Sequence, residues 1–254
     1  MEQTDSLNIE NLKEVFDKRE INTVAFDVDN TLMDTSTYFR ESTKNLGILL
    51  ARKIDKNENP EHISMDIENI MYEEFEKSGR KPLLIDNRYI NALTVYLGRR
   101  DEVLEDFIIH YFKDFYTIVP EIYGSIQNIL QSILKANRKI VLHSHAGEDW
   151  TSIKAGKISE LIGYDIPYLA TPIEQVKDKK NWLKALDLVN ANPVNTLVVG
   201  DNLEADILPM LEIGSRNAVL INRHNEEIPE EYMNNEEINI STINDIGELF
   251  DVLK

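Results

Sequence analysis

The spacing of apolar residues predicts a helix and then a buried strand at the beginning of the chain. Residues 7–19 have the apolar periodicity of a short amphipathic helix. A compact apolar run at residues 23–26 follows and stops abruptly at Asp27. Because this run is rich in β-branched and aromatic residues, it is typical of a strand that is covered on both faces.

A long central stretch has helical periodicity throughout. Between residues 36 and 118, apolar residues recur every three or four positions, which predicts helices. Breaks at Asn59-Pro60, Ser78-Gly79 and Leu97-Gly98 divide the stretch into four helices. Four helices packed on each other would form a subdomain of about 80 residues.

After residue 119 the predicted elements alternate between helices and strands. Strands are predicted at residues 139–142, 166–170, 196–199, 218–222 and 238–240. Helices are predicted at residues 126–134, 148–162, 182–189, 204–213 and 243–253. Such alternation predicts a mostly parallel sheet. The predicted fold class is therefore α/β, with a Rossmann-like sheet core at residues 1–35 and 119–254 and an all-helical insertion at residues 36–118.

Charge and composition exclude several classes of function. The 254 residues include 27 Lys and Arg against 45 Asp and Glu, a formal net charge of −18. A chain this acidic repels nucleic-acid backbones and anionic lipid, so neither is an expected partner. The absence of cysteine excludes thiolate catalysis and cysteine-ligated metal sites. The sequence contains neither a signal peptide nor an apolar run of the ~20 residues that span a bilayer, so we expect a cytoplasmic protein.

Polar side chains follow three of the predicted strands at the point where each strand ends. Asp27 and Asp29 follow the first strand, Ser144 follows residues 139–142, and Gly200-Asp201 follows residues 196–199. In open parallel sheets, ligands bind outside the carboxyl ends of the strands. A single aspartate after a strand is more simply explained as a turn or helix cap. Three strands that bring such groups to one edge favour a functional site.

These segments resemble a known family of enzymes. Residues 27–31, Asp-Val-Asp-Asn-Thr, resemble the Asp-x-Asp-x-Thr signature of the haloacid dehalogenase (HAD) superfamily. Ser144, the lysine-rich stretch at 177–180, and Gly200-Asp201 with Asp206 follow in the order of that family. The helical stretch at 36–118 has the position of the family's helical cap, which is inserted after the first motif (the C1 type).

The resemblance implies a catalytic role for four side chains. Asp27 would be the nucleophile that attacks phosphorus and becomes an aspartyl-phosphate. Asp29 would protonate the leaving alcohol and later deprotonate the attacking water. Ser144 and Lys177 would bind the phosphoryl oxygens while negative charge develops on them. Lys179 and Lys180 are alternatives to Lys177, which fits best when the spacing is counted back from Gly200-Asp201.

The resemblance also implies a bound Mg²⁺ ion, which prefers hard oxygen ligands. The metal would be bound by the carboxylates of Asp27 and Asp201 and by the backbone carbonyl of Asp29. Asp206 would not bind the metal directly but would hold these ligands in position. His143 and His145 suggest a different metal pair, but no third ligand stands near them in the sequence. His145 is alternatively a substrate contact, because the family more often has asparagine there.

The expected function is that of a Mg²⁺-dependent phosphomonoester phosphatase. Its partner would be a small soluble phosphorylated metabolite of the nucleotide or sugar phosphate class, selected by residues of the cap. A sugar phosphomutase shares these motifs and is the first alternative. A dehalogenase is a weaker alternative because it would leave Asp29 unexplained, and a catalytically silent binding protein would not need the Asp27–Asp29 pair. The sequence leaves the substrate and the oligomeric state open.

Overall fold

A computed structural model of the chain describes residues 9–54, 58–77, 84–223 and 225–254. The chain divides into two compact units. One is formed by the residues up to Asp34 together with Pro120–Lys254, and the other by Thr35–Val119. We refer to them as the α/β unit and the helical unit. The predicted helix break at Ser78-Gly79 and the predicted helical residues 7 and 8 lie outside the described residues.

The described elements follow one another in a simple order. Helix α1 (Ile9–Lys18) precedes strand β1 (Thr23–Asp27), and four helices come next: α2 (Thr35–Ile54), α3 (Pro60–Lys77), α4 (Ile85–Leu97) and α5 (Glu102–Phe115). The remaining elements are α6 (Ile126–Lys135), β2 (Lys139–Ser144), α7 (Glu148–Ile162), β3 (Tyr168–Ala170), α8 (Lys179–Asp187), β4 (Thr196–Gly200), α9 (Leu208–Glu212), β5 (Asn217–Ile221), α10 (Glu230–Met233), β6 (Asn239–Ile243) and α11 (Leu249–Leu253).

The α/β unit is built on a six-stranded sheet with the strand order β3-β2-β1-β4-β5-β6. Each neighbouring pair in this order is parallel. The prediction of an α/β fold with a Rossmann-like, mostly parallel sheet is therefore confirmed. The chain leaves β1 toward β2 and leaves β4 toward β5, on the opposite side. The carboxyl ends of β1 and β4 thus flank a topological switch point, where ligands bind in open sheets of this kind.

The central strands are buried because helices cover both faces of the sheet. All residues of β1, β4 and β5 are buried. On one face, Trp182 and Leu186 of α8 pack in a common apolar cluster with Val141 of β2 and Val198 of β4. The sheet is thereby a rigid base for the loops at its carboxyl edge.

The helical unit has its own core. Gly47 of α2 lies so close to α3 that an added Cβ atom would be 2.0 Å from the Ser64 hydroxyl oxygen. The buried Tyr89 of α4 donates a hydrogen bond to the Thr43 carbonyl at 2.9 Å, and its ring centroid is 6.1 Å from that of Phe112 in α5. The unit is held together by close helix contact at glycine and by aromatic packing.

Two predicted helices differ from those in the structure. The segment predicted as a helix at 204–213 is helical, but its first part, Leu203–Ile207, is a π-helical turn that leads directly into α9. Pro209 has no N–H to bond the Ala205 carbonyl, which instead accepts a hydrogen bond from the indole of Trp182 at 2.8 Å. The last predicted helix, 243–253, begins later, because Ile243 still belongs to β6 and a 3₁₀ turn at Ile246–Glu248 comes before α11.

None of the helices in the described residues is both long enough and apolar enough to serve as a membrane span.

Candidate active site

Asp27 ends the central strand β1 and is buried at the switch point. The chain turns sharply after it: the Leu32 N–H donates to the Val28 carbonyl at 2.9 Å, and Asn30 has a φ of 59°. Asparagine tolerates this left-handed conformation better than most residues. Arg223, after β5, donates a hydrogen bond to the Asn30 carbonyl and braces the turn from outside.

Three carboxylates converge beside this turn. Asp27, Asp201 and Asp206 each offer an oxygen, and these atoms lie within 4.8 Å of one another. Asp201 directly follows β4, and Asp206 lies in the π-helical turn. Asp206 can approach because residue 200 is glycine: an added Cβ there would lie 2.4 Å from Asp206 Oδ2. The ends of β1 and β4, together with the glycine at position 200, thus bring three negatively charged side chains close together.

Lys177 places its ammonium group against this acidic cluster of Asp27, Asp201 and Asp206. Its Nζ donates to Asp27 Oδ1 and to Asp206 Oδ1, both at 2.6 Å, and its side chain is 1% exposed. Of the three lysines expected in this region, the other two are exposed. Lys179 pairs with Glu212 of α9 at 3.4 Å, and Lys180 stands in the first turn of α8.

Burial and mutual repulsion shift the charges of the cluster. Burial raises the pKa of Asp27 to about 7, against the opposing charge of Lys177. Burial also raises the pKa of Asp201 to about 8, and the charges of Asp27 and Asp206 add to the rise. Burial disfavours the ammonium of Lys177, but Asp206 and Asp27 hold its pKa above the usual value. One ammonium faces three carboxylates, so the cluster favours a further cation.

The donor set fits a divalent cation. Asp27 Oδ2 is buried and has no hydrogen-bond partner among the described residues. An unsatisfied buried carboxylate oxygen is costly, and a hard cation such as Mg²⁺ would satisfy it. Asp206 belongs to this cluster and at the same time accepts hydrogen bonds from Lys177 and from the Asn202 N–H at 3.1 Å.

The carboxylate of Asp29 is directed to a different set of partners. Ser144, at the end of β2, donates its hydroxyl to Asp29 Oδ2 at 2.8 Å. Lys154 of α7 places its Nζ 2.7 Å from each carboxylate oxygen. The metal contact expected of Asp29 would therefore use its backbone carbonyl, while its side chain remains available for proton transfer.

Lys154 is the residue of this site that sequence reasoning missed. It is fully buried, although lysine is rarely buried without a partner. The signal was present in the spacing, because Trp150, Lys154 and Ile158 lie four residues apart on the buried face of α7. A lysine in the middle of an apolar helix stripe indicates a buried negative partner.

The two histidines do not form a metal pair. His143 Nε2 is 2.9 Å from the Thr171 hydroxyl, and its ring meets Trp182 edge-on. Burial lowers the pKa of His143, and the charge of Lys177 lowers it further, so the ring is neutral. His145 Nε2 lies 2.8 Å from the Gln175 carbonyl, to which it donates. Each histidine therefore has its own protein partner.

A parallel α/β sheet with a cluster of carboxylates at its switch point is typical of a class of α/β enzymes. A sequence comparison identifies the family. A family model for the haloacid dehalogenase-like hydrolases matches residues 21–214. This range begins just before β1 and includes each of the site residues described above except Arg223. The chain belongs to the haloacid dehalogenase-like hydrolases. No curated protein sequence matches it significantly.

Solved structures with different activities share the fold. The HAD hydrolase YfnB from Bacillus subtilis, bound to magnesium, is 17% identical with a TM-score of 0.61, covering 92% of this chain and 99% of its own. A HAD phosphatase from Thermococcus onnurineus is 17% identical with a TM-score of 0.57, covering 92% and 98%. A Thermotoga maritima protein described as a β-phosphoglucomutase is 15% identical with a TM-score of 0.60, covering 92% and 98%. Dehalogenases are also among the similar structures.

Proposed function

We propose that the protein is a Mg²⁺-dependent phosphomonoester phosphatase that acts through an aspartyl-phosphate. The observation that carries this proposal is the acidic cluster at the end of β1. There, one buried oxygen of Asp27 has no hydrogen-bond partner in the described part of the chain, and the other accepts from Lys177. A cluster with more negative than positive charge suits a metal that brings a phosphate close. A second carboxylate, Asp29, stands two residues away with its own partners.

The first chemical step would transfer the phosphoryl group to the protein. A carboxylate oxygen of Asp27 attacks phosphorus, and the bond from phosphorus to the leaving oxygen breaks. Asp29 gives its proton to that oxygen, so that the product leaves as an alcohol. Lys177 holds Asp27 in position and offers positive charge to the phosphoryl oxygens.

The second step would return the enzyme to its starting state. Asp29, now ionised, takes a proton from a water molecule whose oxygen attacks phosphorus. The bond between phosphorus and Asp27 breaks, and inorganic phosphate is released. The proton that Asp29 gave in the first step is thus recovered in the second.

Mg²⁺ would be held by Asp27 and Asp201 and by the backbone carbonyl of Asp29, with Asp206 beside them. When bound, it neutralises charge between the nucleophile and the phosphate. Ser144 now donates to Asp29, and we infer that its hydroxyl turns to a phosphoryl oxygen when substrate is present.

The helical unit would serve as the cap that selects a small phosphorylated metabolite of the nucleotide or sugar phosphate class. Its place in the chain supports this role. The helical unit follows the turn that begins at Asp27. Where the chain returns from the helical unit, the Glu121 carbonyl accepts a hydrogen bond from the Asp34 N–H at 2.8 Å. A unit inserted at that point is connected directly to the reacting residues.

Phosphate release from a broad panel of phosphomonoesters, with Mg²⁺ or with EDTA, tests the proposal. We expect metal-dependent release by the wild-type protein and its loss in Asp27→Asn. Asp251→Asn is the matched control, because this exposed aspartate of α11 forms a local ion pair with Lys254. Turnover of 2-haloacids without Mg²⁺ would replace the proposal with a dehalogenase. Isomerisation of a sugar phosphate without phosphate release would replace it with a mutase, and silence on all substrates would favour a binding protein.

A further inference from the structure

Lys154 stands in the middle of α7 with its charged end enclosed by protein. The residue is 0% exposed, and its Nζ lies 2.7 Å from both carboxylate oxygens of Asp29. The Ser144 hydroxyl oxygen is 3.3 Å away, and the Trp150 ring centroid is 4.1 Å away. An ammonium surrounded in this way has little freedom to move, because moving away from Asp29, Ser144 and Trp150 together would leave its charge without a partner in the interior.

The carboxylate of Asp29 is held by two donors and is only partly covered. Its side chain is 21% exposed, whereas the side chain of Lys154 is fully covered. Ser144 and Lys154 both approach from elements that follow β1 in the chain, β2 and α7. The carboxylate is therefore fixed in direction by two buried donors while part of it stays accessible to small molecules.

We propose that Lys154 is a positioning residue for the proton-transfer step: it fixes the carboxylate of Asp29 where the leaving oxygen, and later the attacking water, will meet it. The inference rests on the proposed phosphatase function and adds a residue to it. A proton-transfer group must be within hydrogen-bond reach of its partner atom, so a carboxylate free to rotate would meet that atom only part of the time.

A purely structural role for Lys154 makes a different prediction. If the ion pair served only to fill the interior, removing it would lower the amount of folded enzyme and reduce the rate on all substrates by the same factor. If Lys154 acts through Asp29, the loss in the first chemical step depends on how much help the leaving group needs. An alkoxide needs a proton, and p-nitrophenolate leaves readily without one.

The test compares Lys154→Met with wild type on an alkyl phosphate and on p-nitrophenyl phosphate, both with Mg²⁺. We expect kcat on the alkyl ester to fall about 10- to 100-fold with little change in KM. On p-nitrophenyl phosphate we expect a rapid first release of about one equivalent of p-nitrophenolate, followed by slow turnover, because the aspartyl-phosphate still needs Asp29 to be hydrolysed. Lys157→Met is the matched control, since this exposed lysine of the same helix pairs with Glu160. It should behave as wild type.

A double-mutant cycle with Asp29→Asn keeps the proposal testable even if the single variant folds poorly. The double variant lacks both charges, so no carboxylate remains unpaired. If Lys154 acts through Asp29, adding Lys154→Met to Asp29→Asn should change kcat by less than about threefold.

Three results would overturn the inference: no rapid first release of p-nitrophenolate by Lys154→Met, a Lys154→Met variant indistinguishable from Lys157→Met, or losses that multiply in the double variant. These are distinct from a failure of the phosphatase proposal, in which the wild-type protein itself releases no phosphate from any ester.

Discussion

Lys177 and Asp27, which lie 150 positions apart in the sequence, form a buried ion pair with Nζ 2.6 Å from Oδ1. The lysine comes from the segment before α8 and the aspartate from the end of β1. The pair fixes one oxygen of the proposed nucleophile, and the other, Oδ2, is buried without a hydrogen-bond partner among the described residues. Asp27, Lys177 and the neighbouring carboxylates of Asp201 and Asp206 are thereby parts of one charge network.

Removing Lys177 should damage both activity and stability. In Lys177→Met, kcat/KM should fall by about two to three orders of magnitude, because the positive charge that meets the phosphoryl oxygens is lost. Without Mg²⁺ the variant should also lose about 3–5 kcal/mol of stability, since Asp27 and Asp206 remain buried without their counter-charge. Steady-state kinetics and thermal unfolding measure the two effects. Lys179→Met, at the exposed pair with Glu212, is the control, and a similar loss there would contradict the assignment.

The stabilising effect of Mg²⁺ should increase with pH. Asp27 and Asp201 have ordinary pKa values of 3.8, which folding raises to about 7 and about 8. A carboxyl with a raised pKa contributes stability that is fully present below its unfolded pKa and is lost as pH rises through the folded one. Between pH 4 and pH 8 the metal-free protein should therefore lose this contribution, while the ionised carboxylates become better metal ligands.

Melting temperatures with and without Mg²⁺, at about pH 6 and about pH 8.5, test this expectation. The increase caused by the metal should be larger at the higher pH. It should be smaller at both pH values in Asp201→Asn, which lacks one of the carboxylates. An increase that is equal at both pH values, or larger at the lower one, would contradict the prediction.

Gly200→Ala should weaken metal binding without unfolding the sheet. The new Cβ would lie 2.4 Å from Asp206 Oδ2 and 2.5 Å from Asp206 Cβ, so Asp206 must move out of the cluster. We expect the Mg²⁺ concentration for half-maximal activity to rise about tenfold or more, as is typical when the support of a ligand is disturbed. Gly124→Ala is the control because no atom of the described residues, apart from its chain neighbours, lies within 4 Å of the added Cβ. An unchanged Mg²⁺ requirement in Gly200→Ala would count against a role for Asp206 at the metal.

Gly47→Ala should destabilise the helical unit. The added Cβ would lie 2.0 Å from the Ser64 hydroxyl oxygen and 2.8 Å from its Cβ, so α2 and α3 would have to separate. Overpacking of this kind costs about 1–3 kcal/mol. Thermal or urea unfolding followed by circular dichroism measures the loss. Gly156→Ala, inside α7 with open space around it, should instead be neutral or stabilising by up to about 1 kcal/mol. Equal stability of the two variants would show that the close contact has no energetic weight.

The sequence was sufficient to predict the sheet and the residues at its carboxyl edge. Residues that end parallel strands meet at one edge whatever the strand order, so Asp27, Ser144 and Asp201 could be expected near one another before the order was known. The α/β class followed from the change in apolar spacing at residue 119. Both depend on local pattern, which a single sequence contains.

The features that the sequence did not reveal depend on contacts between residues that are distant in the chain. Lys154 could be seen as a lysine in an apolar helix stripe, but its partner Asp29 is 125 positions away. In the helical segment expected at 204–213, Pro209 leaves the Ala205 carbonyl without a helical donor, and the spacing alone does not reveal that Trp182 supplies one. The choice among the three lysines was also decided by tertiary structure, since Lys177 and Lys179 differ by only two positions.

The path by which the chain enters and leaves the helical unit has a practical consequence. The Asp34 N–H donates to the Glu121 carbonyl at 2.8 Å and the Tyr123 N–H to the Leu32 carbonyl at 3.1 Å, so the outgoing and returning segments form a short antiparallel ladder. A replacement segment would have to match only the spacing of these two backbone segments to be accepted. We therefore expect that the insertion can be exchanged as a module, by evolution or by protein engineering, while the residues at the carboxyl edge of the sheet stay in place.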